Sequence, residues 1–124
     1  MSERVSSATR LPDDELPPGH KYNEGKTRMG LLPGFAALME VGKVATFGAK
    51  KYKDHNWRGA QTNGAYIDAL LRHVCNWVDG EDNDPESGLP HLAHAAWNCL
   101  ALLTFRLDGK TRDERYQRPS GGPS

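Results

Sequence analysis

The chain has 124 residues, 37% of them hydrophobic, and its mean hydropathy is −0.70. This length and composition favour one compact domain with a thin core, which small helical proteins often complete by forming oligomers. The 16 basic residues equal the 16 acidic residues in number, so the basic excess of proteins that wrap duplex nucleic acid is missing. We find no signal peptide and no apolar run that could cross a bilayer, so we expect no membrane partner and a cytosolic location.

The composition changes along the chain and predicts three parts. Residues 1–20 are rich in Ser, Pro and Asp and predict a flexible arm. Residues 21–108 hold the apolar periodic segments and are expected to form the folded domain. Residues 109–124 predict a flexible tail.

Apolar side chains at helical spacing predict a first helix over residues 34–49, with Pro33 at its entry. A polar connection follows over residues 50–63. It carries two aromatic side chains, Tyr52 and Trp57.

A second helix is predicted over residues 65–79, with Asn63 as its cap and Gly80 as its stop. The two cysteines, Cys75 and Cys99, lie in apolar helical stretches and are expected to be buried free thiols.

A third helix is predicted over residues 89–107, with Ser87 as its cap. It is apolar nearly all round, so we expect it to be buried within its own domain or in an oligomer. Because no strand-like alternation appears, the predicted fold class is all-α, an antiparallel helical bundle.

The third helix carries a polar stripe. His91, His94 and Asn98 follow i, i+3, i+7 spacing, so they point the same way. Burying each without a partner would cost on the order of 1–3 kcal/mol. They must therefore face hydrogen-bond partners, a cavity or a metal. The alternative is that the two histidines are core side chains bonded to backbone carbonyls.

The neighbouring segments favour a cavity or a metal. The second helix presents His73 beside Arg72, and antiparallel packing would bring His73 opposite His94. The acidic turn of residues 81–88 would then lie at the His91 end, where imidazoles and carboxylates could hold a divalent cation. The alternative for this turn is a solvated loop whose acids favour the helix N-terminus.

Two further segments suit a phosphorylated aromatic ligand. Lys26 and Arg28, near Gly25, could hold phosphate oxygens, although a solvated loop has the same composition. Tyr52 and Trp57 could stack on a base while Lys51 reaches phosphate. Alternatively, both rings close the bottom of the core.

Three strings of the sequence resemble a known family: KYNEGKTRMGLLP, FGAKKYKDHNW and LLRHVCNWVDGEDNDPESGLPHLAHAAWN. In this order they are similar to the dATP/dGTP diphosphohydrolase N-terminal domain family of bacteriophages, over residues 21–107. The resemblance implies a phage or prophage enzyme of the host cytoplasm. It would hydrolyse purine deoxynucleoside triphosphates to the monophosphate and pyrophosphate.

That family is related to the all-α MazG-like pyrophosphohydrolases, which are magnesium-dependent dimers or tetramers. Their metal-binding acids have no counterpart here, because the matching positions hold Arg72, His73, Asn76, His91 and His94. The resemblance therefore implies either a metal bound by a different set of residues, or a pocket that binds nucleotide without cutting it.

With the resemblance, each candidate side chain receives an expected role. A Mg²⁺ or Mn²⁺ ion would be held by Glu81, Asp84, Glu86, His91 and His94. Catalysis is assigned to Glu40, His73 and Glu81. Substrate binding is assigned to Lys26, Arg28, Lys51, Tyr52, Asn56, Trp57, Arg72 and Asn98.

Two rival functions follow from the same residues. A binding protein could sequester a nucleotide or a nucleotide-derived signal without chemistry. A histidine–aspartate phosphohydrolase would need a His followed directly by an Asp, and the sequence contains no such pair.

Overall fold

A computed structural model describes residues 12–15, 17–20 and 24–120. These residues contain three α-helices and no strand: α1 spans Phe35–Lys51, α2 spans Gly64–Val78 and α3 spans His91–Asp108. The all-α prediction is confirmed, and every helix end lies within two residues of its predicted position. The predicted arm and the end of the predicted tail fall largely outside the described residues.

The chain divides into two compact units, Met1–Pro33 and Gly34–Ser124. Among the described residues of the first unit, short 3₁₀ turns span Asp13–Glu15 and Met29–Leu31. All three α-helices belong to the second unit. None of the helices in the described ranges combines the length and apolarity that a membrane crossing needs.

Helix α3 packs against both α1 and α2. Helices α2 and α3 run antiparallel, because Tyr66 near the start of α2 meets Phe105 near the end of α3, with ring centroids 5.0 Å apart. At the other end of the pair, His73 meets His91 and His94. The bundle therefore brings the predicted polar stripe against α2.

The buried side chains are small or polar. The buried apolar residues of the described chain are Val44, Ala93, Ala95, Ala101 and Phe105, and the buried polar residues are His73, His91, His94 and Asn98. Alanines on α3 let the neighbouring helices approach closely, since packing distance depends on the side chains at the contact. Four polar side chains in such a small core make their hydrogen bonding decisive for stability.

Neither predicted cap residue caps its helix through its side chain. Asn63 instead pairs with the return segment, residues 111–115, accepting the backbone N–H of Glu114 at 3.2 Å. Ser87 directs its hydroxyl to the histidine cluster, and α3 begins after Pro90. The predicted stop at Gly80 is confirmed, since this residue follows the end of α2 with a φ of 100°, which favours glycine.

The prediction of buried thiols is wrong, because Cys75 and Cys99 are both exposed. An apolar helical stretch does not by itself show which of its side chains face the core. Helix α3 is also not buried on all sides within the described part of this chain. Its exposed apolar side chains are Leu92, Leu100, Leu103 and Leu107.

The return segment anchors the beginning of α2. Arg112 donates its backbone N–H to the carbonyl of Gln61 at 2.9 Å. The Glu114 carboxylate accepts the backbone N–H of Gly64 at 2.8 Å, so it satisfies a donor that the helix itself leaves unpaired. Hydrogen bonds from the Thr62 side chain and from Gly64 hold the pKa of Glu114 below its usual range.

We expect Gly64→Ala and Glu114→Ala to be strongly coupled in stability. A Cβ at Gly64 would lie 2.5 Å from Glu114 Oε1, so Gly64→Ala should displace the carboxylate. The single variant should therefore show no increase in the free energy of unfolding. In a Glu114→Ala background the same change should stabilise by up to about 1 kcal/mol, because alanine favours helix. Urea denaturation of the two single variants and the double variant measures this coupling.

Gly42→Ala is the matched control, because a Cβ there meets no atom within 4 Å. It should stabilise by roughly 0.5–1 kcal/mol in either background. Equal effects of Gly64→Ala with and without Glu114 would refute the proposed contact.

Candidate functional site

A groove of about 820 Å³ opens between the end of α1, the following connection, α2 and α3. Its walls are built by much of the predicted site. The predicted residues that line it are Lys51, Tyr52, Asn56, Trp57, Arg72, His73, Asp84, Glu86, His94 and Asn98. The structure thus gathers side chains from all three helices and both connections onto one surface.

Three buried imidazoles form the inner part of the site. His73 is 6% exposed, His91 1% and His94 8%. The ring of His73 stacks on that of His94 with centroids 4.4 Å apart, and its Nδ1 lies 2.8 Å from Nδ1 of His91. Antiparallel packing of α2 and α3 produces this cluster, since α2 carries one ring and α3 carries the other two.

Glu81 fixes the orientation of His91. Its carboxylate can only accept, so His91 Nε2–H donates to Glu81 Oε1 at 2.7 Å. At 2.8 Å the two Nδ1 atoms of His91 and His73 can share only one proton. The histidine rings therefore form hydrogen bonds with side chains. In the alternative, core histidines would donate to backbone carbonyls instead.

Ser87 fixes His94 in a similar way. The Ser87 hydroxyl donates to Asp84 Oδ2 at 3.0 Å and therefore accepts the Nε2–H of His94 at 2.7 Å. Its oxygen also accepts the backbone N–H of Leu89. With the proton of a neutral His94 on Nε2, Nδ1 carries the free lone pair.

Burial favours the uncharged form of His73 and of His94. It lowers the pKa of His73 to about 4, and the nearby His94 adds to the effect. Burial also lowers the pKa of His94, while Asp84 opposes that shift without reversing it. Burial raises the pKa of Asp84, but hydrogen bonds from the Ser87 backbone and hydroxyl lower it by more than burial raises it. The net shift of the pKa is therefore downward.

The loop between α2 and α3 places the acids. Its backbone closes on itself, because Asp84 N–H donates to the carbonyl of Leu89 at 2.8 Å and His91 N–H donates to that of Asp82 at 2.8 Å. This local pairing holds the acidic turn against the start of α3.

Three side chains of the cluster have the composition of a metal site. One donor atom each from His73, Asp84 and His91 lies within 4.8 Å of the other two. Two imidazole nitrogens and a carboxylate are common ligands for divalent cations. His91 was expected among the ligands together with Asp84, whereas His73 was expected as a catalytic group.

The outer part of the groove is cationic and aromatic. Lys51 pairs with Glu86 at 2.8 Å, and this contact raises the pKa of Lys51. Arg72 lines the groove and makes no ion pair within the described part of the chain. Lys53 also lines the groove and likewise has no ion pair among the described residues, so both cations are available to an anionic ligand.

The two aromatic side chains of the connection have different surroundings. Trp57 packs edge-on against Trp97 at 5.7 Å, while the Arg58 guanidinium lies 4.5 Å from its ring centroid. Tyr52 is 64% exposed and does not close the core. Trp57 thus serves both the core and the groove wall.

The remaining predicted residues are not among those that line the groove. Glu40 pairs with Lys43 at 2.7 Å. Lys26 and Arg28 belong to the first unit, where they border a depression of about 420 Å³. Glu81 does not line the groove either and reaches it through His91 and His73.

Sequence reasoning missed the role of Ser87 and the contribution of Trp97. Ser87 lies in the turn before α3, outside the helix, so helical periodicity says nothing about its position relative to His94. Trp97 was recognised only as part of an apolar helix, although its neighbour Asn98 marks the groove side.

We expect the metal-free protein to lose stability as the pH falls from about 6.5 towards about 4. Unfolded imidazoles take up protons near pH 6.5, whereas folded His73 does so only near 4, so protons favour the unfolded chain in this window. The His94 shift acts in the same direction. Urea denaturation with a chelator across this pH range measures the loss.

His73→Asn should flatten this pH dependence, while His55→Asn, which changes an exposed histidine, should preserve it. If the slope is the same with and without His73, the buried imidazole is not the cause.

Comparison with known proteins adds three findings. The family described as "dATP/dGTP diphosphohydrolase, N-terminal" matches residues 17–115. The dATP/dGTP diphosphohydrolase of Salmonella phage PMBT28 is 35% identical over 98 residues, which cover 78% of this chain and 33% of that relative. The chain thus corresponds to about a third of the length of this curated relative. No solved structure matches it significantly.

Proposed function

Because the chain belongs to the dATP/dGTP diphosphohydrolase N-terminal family, we propose that it hydrolyses purine deoxynucleoside triphosphates to the monophosphate and pyrophosphate. The observation that carries the proposal is the groove, which brings together Arg72, an aromatic wall and two of the three clustered side chains that could bind a metal, His73 and Asp84. Each of these features matches one part of a nucleotide: phosphates, base and the cation that accompanies the phosphates.

The groove has the capacity for such a ligand. Its volume of about 820 Å³ falls within the range of roughly 300–1,000 Å³ that small-molecule sites occupy. In our proposal Arg72 binds phosphate oxygens through its planar guanidinium. Trp57 and Tyr52 contact the base, with Asn56 and Asn98 as hydrogen-bonding groups beside it.

Lys51 can join Arg72 only by exchanging partners. In the structure it is held by Glu86, so a phosphate group would replace the carboxylate at the ammonium. Glu86 would then be released toward the cation that accompanies the phosphates, in keeping with its expected role. Lys26 and Arg28 of the first unit remain proposed phosphate contacts, and Glu40 a proposed acid.

The residues present fit a divalent cation. His73, Asp84 and His91 would hold it, because their donor atoms already converge. When bound, such a cation neutralises charge on phosphate oxygens. Glu81 orients His91 from the opposite side of its ring.

His94 is the proposed acceptor for the proton of the attacking water. Its Nε2 proton is held by Ser87, so Nδ1 is the atom that can take another proton. Burial keeps the ring neutral by lowering its pKa, and a neutral imidazole is the form that acts as a base.

We also propose that the protein works as a homo-oligomer, a dimer or tetramer, in the cytoplasm of a bacterial host. The exposed leucines of α3 support an assembly, because large apolar surfaces are seldom left in water without a partner.

Purified protein should release pyrophosphate from dGTP or dATP when Mn²⁺ or Mg²⁺ is present, and should release little without a divalent cation. The measurement is a product assay across the deoxynucleoside triphosphates, with and without metal. Turnover of none of them would remove the enzymatic proposal.

Arg72→Gln should raise KM for the nucleotide by roughly 10–100-fold, since a hydrogen bond to a charged group contributes about 1.5–3 kcal/mol. Arg106→Gln, an equivalent change in the last turn of α3 and outside the groove, should leave KM unchanged. An unchanged KM in Arg72→Gln would exclude this arginine from phosphate binding.

Binding without hydrolysis is the second candidate function. It is favoured by the absence of acids from the positions where MazG-like enzymes bind metal, which hold Arg72, His73, Asn76, His91 and His94. Calorimetry that shows tight nucleotide binding, together with no product over hours, would decide for it.

A further inference from the structure

We propose that His73, Asp84 and His91 form a site that selects a first-row transition-metal ion, with Mn²⁺ as our probe, over Mg²⁺. The inference deepens the proposed function by naming the class of cation, but cation binding is measurable without any nucleotide. Glu81 acts in it as a positioning residue for His91 and not as a ligand.

The spacing of the two nitrogens suits a shared cation. His73 Nδ1 and His91 Nδ1 lie 2.8 Å apart and point at each other. At a metal–nitrogen distance of about 2.1 Å, two ligands of one ion lie about 3.0 Å apart at a right angle and about 3.4 Å apart at a tetrahedral angle. A small opening of the pair would admit an ion in place of the shared proton, and a neutral His73 would then carry that proton on Nε2.

The third ligand comes from the loop. Asp84 is held through Oδ2 by the backbone N–H and hydroxyl of Ser87. Its carboxylate lies within 4.8 Å of both histidine donors. Two nitrogens and one oxygen leave coordination positions for water or phosphate oxygens, as in other sites with three protein ligands.

The nature of the donors determines the selectivity. Mg²⁺ prefers oxygen ligands and keeps much of its water, so two imidazoles offer it little. Imidazole suits the later first-row transition ions best, and Mn²⁺ is the weakest-binding member of that series, so it is the most stringent probe of the selectivity.

Glu81 completes the arrangement on the far side of His91. A metal-bound histidine usually donates its other N–H to a carboxylate or carbonyl, which fixes the ring and strengthens the ligand. His91 Nε2–H already donates to Glu81 Oε1 at 2.7 Å, while its Nδ1 faces His73. His94 lacks this arrangement, because its bonded Nε2 faces Ser87.

Calorimetry of the nucleotide-free protein with Mn²⁺ or Mg²⁺ tests the selectivity. Mn²⁺ should bind on the order of tenfold or more tightly than Mg²⁺. Asp84→Asn should weaken Mn²⁺ binding, and Glu81→Gln should weaken it by roughly 10–100-fold. Asp68→Asn, the same change on the exposed face of α2, should leave it unchanged.

Nitrogen-15 NMR of the five histidine rings identifies the ligand atoms. Zn²⁺ should shift the Nδ1 resonances of His73 and of His91 and leave the Nδ1 resonance of His94 unchanged. In Glu81→Gln, circular dichroism should show an intact fold while the His91 resonances change. This separates a positioning role from a structural one.

Equal affinity for Mg²⁺ and Mn²⁺, no binding of Mn²⁺, or ligation at other rings would each overturn the inference. Any of these results together with nucleotide hydrolysis would leave the proposed function intact. Tight, selective Mn²⁺ binding with no hydrolysis would support the inference about the cation site and contradict the proposed hydrolysis.

Discussion

The contact between α2 and α3 depends on satisfying three buried imidazoles. Each would cost on the order of 1–3 kcal/mol without a hydrogen-bond partner, and the core beside them consists largely of alanines. Glu81 and Ser87 supply the partners for His91 and His94, and His73 is paired with His91. The loop that carries Glu81 and Ser87 is therefore as much a part of the core as of the site.

The periodicity of the sequence was sufficient to predict the fold and the centre of the site, because both depend on short-range spacing. The stripe of His91, His94 and Asn98 is visible at i, i+3, i+7, and the short connection to α2 places His73 opposite it. Contacts between distant segments have no such pattern. Lys51 meets Glu86 across 35 positions and Gly64 meets Glu114 across 50, so neither pairing could be predicted from the sequence.

The groove differs in its electrostatics from a site built of carboxylates. Clustered acids repel a triphosphate unless cations neutralise them. Here burial lowers the pKa of His73 and of His94, so the inner wall offers neutral nitrogen donors. Lys51, Lys53, Arg58 and Arg72 also line the groove, and together they outnumber its acids, Asp54, Asp84 and Glu86. A nucleotide approaching this surface meets less repulsion than it would meet at four acids.

The loop between α2 and α3 also limits how relatives can vary. Backbone hydrogen bonds from Glu81 to Asn76 and from Asp84 to Leu89 constrain the connection between the helices. One extra residue would rotate Asp84 away from the histidines even if every side chain were kept. Alignments of family members should therefore run through residues 80–91 without gaps, whereas the amino acids at its outward positions are free to change.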